Sequence, residues 1–170
     1  MEPLTYEGFK ALVFAHKRAF HLELRDAYNV ASEDEPFGRW LRGEPDDYAW
    51  HQDWASFVRQ ATAAGVQFQR VRLASVPHSD YIRWGLDISP LNIEAGEDVR
   101  YLPRHLATGI MLPDEDYWLL DDDTLVLSVF SADGRTGGFA WPSSPELLRQ
   151  CIAVRDQVLE LAVPYAQYVA

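Results

Sequence analysis

Residues 67–75 read Gln-Phe-Gln-Arg-Val-Arg-Leu-Ala-Ser, and this stretch decides the fold. Phe68, Val71 and Leu73 are interleaved with Arg70 and Arg72, the alternation of a β-strand. Helical patterns lie on both sides of it. Upstream, Trp50, Trp54, Phe57, Val58 and Ala61 share one face of a helix over residues 48–63, capped by Asp46 or Asp47 and ended by Gly65. Downstream, Ser79 and Asp80 open a helix from Tyr81 to about Ile88. Pro90 interrupts it, a shorter turn runs to Gly96, and a strand follows from Asp98 to Leu102.

Working outward, Thr5 caps a helix over residues 6–18 with Phe9, Leu12, Val13 and His16 on its apolar side. Residues 19–24, Ala-Phe-His-Leu-Glu-Leu, alternate as a strand, and Pro36 takes a first-turn position in a helix that carries Phe37, Trp40 and Leu41 and ends at Gly43. In the second half, Tyr117–Leu120 and Thr124–Phe130 read as strands joined at Asp121-Asp122-Asp123. A glycine-rich hairpin at 133–138 leads to a short strand, Phe139–Trp141. Ser143 and Ser144 cap a last helix from Pro145 to Val163, with Leu147, Leu148, Cys151, Val154, Val158 and Leu161 on one face. Helices separate the early strands and the late strands form a meander. The expectation is a single α/β (α+β) domain over residues 1–170, a mixed sheet flanked by helices.

Composition narrows the function. The 170 residues carry a formal net charge of -11, which repels nucleic acids and anionic membranes and argues against direct nucleic-acid binding. Lys10 and Lys17 are the only lysines among 15 cations, so any bidentate anion contact falls to arginine. One cysteine, Cys151, excludes an internal disulfide and a thiolate zinc site. The N-terminus lacks a basic region followed by an apolar run, and no apolar stretch reaches the length of a membrane span; the expectation is a cytoplasmic protein.

Catalytic motifs are missing. No two of His16, His21, His51, His78 and His105 have metal-binding helical spacing, and neither a phosphate-binding glycine loop nor a nucleophile elbow occurs, so no metal and no cofactor are expected. The acids Asp114-Glu115-Asp116 and Asp121-Asp122-Asp123 flank one strand and read as solvated turns.

Two clusters stand out. Arg70 and Arg72 point to one strand face, because they are two residues apart. Asp80, Arg83 and Trp84 open the next helix, and Arg100 and Arg104 return on the following strand and loop. If Arg72, Arg83, Arg100 and Arg104 converge beside Trp84, they form an anion-binding site. The competing arrangement pairs each arginine with a nearby acid. In the second cluster, alternation puts His21, Glu23 and Arg25 on one face of their strand. That demands pairing if the strand is central and nothing if it is a solvated edge.

The runs Phe20–Asp26 with Tyr28, Arg70-Val71-Arg72, Ser79–Trp84, Asn92 through Ala95–Glu97 to Arg100–Arg104, and Tyr117–Asp121 resemble an uncharacterised actinobacterial family. Its members are often encoded beside helix-turn-helix regulators of the WhiJ type. The second half also resembles, more weakly, one half of a phospholipase-D-like fold. That chemistry needs a histidine followed two residues later by lysine, which no histidine here provides. The resemblances imply a non-catalytic accessory or ligand-sensing protein acting with a helix-turn-helix regulator. It would bind an anionic small molecule or a partner protein through Arg72, Asp80, Arg83, Trp84, Arg100 and Arg104. A hydrolase or nuclease-like toxin is the alternative, with His21, Glu23, Asp80 and Arg83 as its candidates. A plain interaction subunit is the third reading, and the oligomeric state is left open.

Overall fold

A computed structural model describes residues 1–170. Its strands are β1 (Glu2–Leu4), β2 (Arg18–Glu23), β3 (Gln67–Ala74), β4 (Glu97–Pro103), β5 (Tyr117–Leu120), β6 (Thr124–Phe130), β7 (Thr136–Trp141) and β8 (Val163–Pro164). They form one mixed sheet in the order β1-β7-β6-β5-β2-β3-β4-β8. The neighbours β2-β3-β4 run parallel and every other pair is antiparallel. The helices are α1 (Tyr6–Ala15), α2 (Asp34–Leu41), α3 (Gln52–Ala63), α4 (Asp80–Ala95), α5 (Pro145–Leu161) and α6 (Tyr165–Tyr168). The protein is α+β, and no helix is long and apolar enough to cross a membrane.

Parallel neighbours require crossovers, and these crossovers place the helices. α3 lies on the path from β2 to β3, and α4 carries β3 to β4. The strand order steps the same way twice, so both helices pack on one face. α1 joins them there, with Phe9 and Val13 against Phe57, Val58 and Phe68. α5 covers the opposite face: Cys151, Val154 and Val158 pack on Phe20, Leu22, Val71, Leu73, Leu119 and Leu127. The central strands therefore lie between two layers, and alternation decides which layer a side chain enters.

Strand β2 is central, paired with β5 on one side and β3 on the other. The solvated-edge alternative for His21 and Glu23 is thereby removed. In register, His21 lies between Trp118 and Arg70, and Glu23 lies beside Arg72.

Helix ends follow the expected chemistry. Thr5 Oγ1 accepts from Gly8 N–H at 3.0 Å, Ser79 Oγ from Ile82 N–H at 3.1 Å, and Ser144 Oγ from Leu147 N–H at 3.2 Å. Several boundaries differ from the sequence reading. α4 continues through Pro90 to Ala95, because burial of Ile82, Trp84, Ile88 and Ala95 on both sides of the proline holds the helix together. Asp46 and Asp47 do not cap α3: they accept from Tyr48 N–H and Ala49 N–H at the entry to a short 3-10 turn at Ala49–His51, and α3 begins only at Gln52. α1 stops at Ala15, and Pro36 falls at the third position of α2. The hairpin turn spans Ser131–Arg135, so β7 already begins at Thr136. α5 ends at Leu161, which is exposed, and Ala162 enters the core in its place.

Candidate functional site

On the face covered by α1, α3 and α4, the central strands change character along their length. β2 presents Ala19, then His21 and Glu23; β3 presents Phe68, then Arg70 and Arg72. The apolar first half packs under α1 and α3. The polar second half forms the floor of a cleft of about 550 Å³ at the C-terminal ends of the parallel strands. Trp50, His51 and Trp54 supply one wall, and Tyr81, Trp84, Ser89 and Asn92 of α4 another. Tyr28, Glu33, Phe130 and Phe139 enclose the rest.

The floor is an ionic network. Arg70 Nε and Nη2 donate to the two oxygens of Glu97 at 2.8 and 3.0 Å, and its Nη1 donates to Glu23. Arg72 Nη2 donates to the other Glu23 oxygen, and Trp54 Nε1 donates to Glu97 Oε1 at 2.8 Å. Burial pushes the Glu23 carboxyl up, but Arg72 and Arg70 outweigh it and hold the group below the ordinary carboxylate range. Burial opposes the charge on Arg70, and Glu97 and Glu23 more than restore it. Two guanidinium groups thus meet two carboxylates, and the floor carries no net charge.

His21 stacks on Trp118 with ring centroids 4.0 Å apart and planes 9° from parallel. Its Nδ1 stands 3.6 Å from Glu23 Oε1, beyond hydrogen-bond reach. Burial pushes its pKa down to about 3, reinforced by Arg70 and Arg72 and opposed by Glu23, so the ring is neutral at pH 7. His51 Nε2 lies 2.7 Å from Asn92 Oδ1, and burial lowers its pKa as well. At the rim, Tyr81 Oη donates to Glu33 Oε2 at 2.6 Å, and burial raises the Glu33 carboxyl. Asp116 accepts from Leu24 N–H at 2.9 Å and from Tyr28 Oη, and burial raises its pKa to about 6.

Four buried side-chain polar atoms have no hydrogen-bond partner: His21 Nδ1 and Nε2, His51 Nδ1 and Arg72 Nε. All four belong to residues that line this cleft. A second hollow of about 600 Å³ at the opposite ends of the parallel strands, beside Gln67, Gln69 and Gly96, contains none of them.

Of the residues expected to bind an anion or a partner, Arg72 and Trp84 line the cleft, and Asp80, Arg83, Arg100 and Arg104 do not. Asp80 and Arg83 are exposed and pair with each other at 3.3 Å on the outside of α4. Arg100 pairs with Asp98 at 3.1 Å. It sits in register with Val71 while Tyr101 sits beside Arg72, so alternation sends it to the other face. Arg104 donates to Leu24 O at 2.5 Å and Ser75 Oγ at 3.1 Å, and lies 3.5 Å from Asp26. The four arginines do not converge. His21 and Glu23 do sit on the floor. Glu97 is one of the nearby acids that the sequence offers as an arginine partner, and it pairs with Arg70; His51, Glu33 and Asp116 are not legible as site residues, and the visible clue is that Arg70 and Arg72 share a face that must be buried. Asp116 is not a solvated turn residue. It is 2% exposed, because its position just before β5 places it against the end of β2.

No curated protein matches the chain. A family model matches residues 7–170, a span that includes every strand of the cleft floor. The chain belongs to the family described as a domain of unknown function (DUF6879).

Proposed function

We propose that this protein binds a small molecule in the cleft at the C-terminal ends of β2, β3 and β4, and that it acts as a sensing partner of a helix-turn-helix regulator. The observation that carries the binding reading is the gathering of all four unpartnered buried atoms in residues that line one cleft. Buried polar groups are ordinarily paired, and a pocket with a few convergent polar groups is the usual form of a ligand site. Open sheets with parallel strands bind ligands at those same strand ends. The regulator comes from the family resemblance described above. The likeness to half of a phospholipase-D-like fold without its histidine-lysine pair fits the same reading: a pocket kept and its chemistry lost. Among the residues singled out in sequence, this reading rests on Arg72 and Trp84 and leaves out Asp80, Arg83, Arg100 and Arg104.

The test is thermal-shift screening of a metabolite library against the wild type, Arg72→Lys and Trp50→Leu. Compounds that stabilise the wild type and neither variant support the reading, and a regulator pull-down altered by the same compound supports the partnership. A library without a hit, or hits indifferent to both variants, overturns it.

The approach of His21 to Glu23 keeps a second reading in view, a hydrolase or nuclease-like toxin. Against it, a histidine with a pKa near 3 is a weak base, and both Glu23 oxygens are engaged by arginine. Toxicity on expression that is lost in His21→Ala would reinstate it.

A further inference from the structure

The charge balance of the cleft restricts what enters it. Arg70 and Arg72 are matched by Glu23 and Glu97. The other carboxyl groups lining the cleft, Glu33 and Asp116, add acid. The remaining arginines of the region pair elsewhere, Arg25 with Glu115, Arg83 with Asp80, Arg100 with Asp98 and Arg104 with Asp26. An anion would lose its hydration and find no free cation to replace it.

The functions left open are neutral in kind. Arg72 Nε–H is a donor without an acceptor. His51 gives its Nε2 proton to Asn92 Oδ1, so its unpartnered Nδ1 is an acceptor in the neutral ring. Flat rings stand around them. Trp50 and Trp84 stack at 5.3 Å, Tyr81 meets Trp84 edge-on at 5.6 Å, and Tyr28 packs against Tyr81 and Phe130. The open donor and acceptor lie against different turns of α4. The Arg72 guanidinium abuts Gly85, where a Cβ would come within 2.3 Å of Nη1, and His51 abuts Asn92. Those two helix positions are about 10 Å apart at 1.5 Å rise per residue. A fused two-ring system with a hydrogen bond at each end covers that span.

We propose that the cleft binds an uncharged, planar, fused nitrogen heterocycle of the purine type, its carbonyl accepting from Arg72 Nε–H and a ring N–H donating to His51 Nδ1. The proposal rests on the reading of the cleft as a ligand site and adds the class of ligand. The aromatic walls supply stacking, and the balanced floor supplies recognition without charge.

The experiment is calorimetric titration of the full chain with hypoxanthine, with inosine, whose ribose replaces the imidazole N–H at the far end from the carbonyl, with inosine 5′-monophosphate and inorganic phosphate as anionic probes, and with uridine as a one-ring probe. Hypoxanthine is expected to bind, inosine and the monophosphate more weakly, and phosphate and uridine not detectably. Arg72→Lys, which keeps a cation for Glu23 but loses Nε–H, is expected to weaken hypoxanthine binding about tenfold or more. Trp50→Leu, at the partly exposed wall, does so without touching the floor, and circular dichroism checks that both variants are folded. Phosphate binding, or inosine or its monophosphate binding tighter than hypoxanthine, overturns the proposal, and so does silence of hypoxanthine. Native mass spectrometry after incubation with a metabolite extract separates the two readings. A compound retained by the wild type and lost in Arg72→Lys and Trp50→Leu leaves the cleft a ligand site with another ligand. If nothing is retained, both readings fall.

Discussion

Glu23 holds two guanidinium groups at a position 3% exposed; Arg70 has Glu97 as well, and Arg72 has no other carboxylate. Glu23→Gln leaves Arg72 without a carboxylate partner in a poorly solvated place. It is expected to cost about 3–5 kcal/mol, seen as a lower urea midpoint. Against a typical domain stability of roughly 5–15 kcal/mol, that is a large share. Replacing Glu23 by Leu and Arg72 by Met together removes one charge of each sign. It should recover most of the loss, since buried ion pairs contribute little beyond their own desolvation cost. His21 makes the complementary case. His21→Phe keeps the stack on Trp118 and removes two unpaired nitrogens, so the melting temperature rises while ligand binding falls. The pH dependence has a definite sign. The folded pKa near 3 lies below the ordinary 6.5, so the stability from keeping the ring neutral is full above pH 6.5 and is lost as pH falls toward 3. The variant's thermal advantage over the wild type therefore grows between pH 7 and pH 4. A flat or shrinking difference would refute a neutral buried ring.

At the scale of elements, α4 shows how packing overrides local preference. Proline inside a helix costs about 3 kcal/mol relative to alanine, yet the helix runs through Pro90 from the Ser79 cap to Gly96 at φ 121°. Pro90 is exposed, so Pro90→Ala restores an N–H without disturbing the core. It should stabilise the protein by about 1–3 kcal/mol in thermal denaturation. The same override explains what a linear reading of the chain reaches. β5 and β6 are legible to the residue, because they are short apolar runs separated by the turn-forming aspartates 121–123. β1, β8 and α6 are too short to carry a period, and they form by pairing with or packing on strands already in place. For the site, alternation alone puts Arg70 with Arg72 and His21 with Glu23. That the two pairs meet depends on β2 and β3 being parallel neighbours in one register, which no local pattern encodes. Asp80, Arg83 and Trp84 fall within the first five residues of α4, yet a helix turns about 100° per residue. Trp84 faces the cleft while the ion pair faces water.

The whole molecule divides its labour between the two faces of one sheet. Beneath α5 the face holds an apolar core, with Gln69, Asp98 and Arg100 paired beside it, while the other is half core and half cleft. A net charge of -11 surrounds this arrangement and repels itself. Added salt shortens the screening length to about 8 Å near physiological strength, so the melting temperature should rise from low salt to about 0.15 M. The floor network is too buried to be screened in proportion. A falling melting temperature would mean that exposed pairs such as Arg83–Asp80 outweigh the self-repulsion. One last consequence concerns light. Of the six tryptophans in the chain, Trp50, Trp54, Trp84 and Trp118 all line the cleft. The intrinsic emission of the protein is therefore dominated by that one place. A molecule settling against the Trp50–Trp84 pair changes its colour and intensity, so the protein carries its own label-free optical gauge of occupancy.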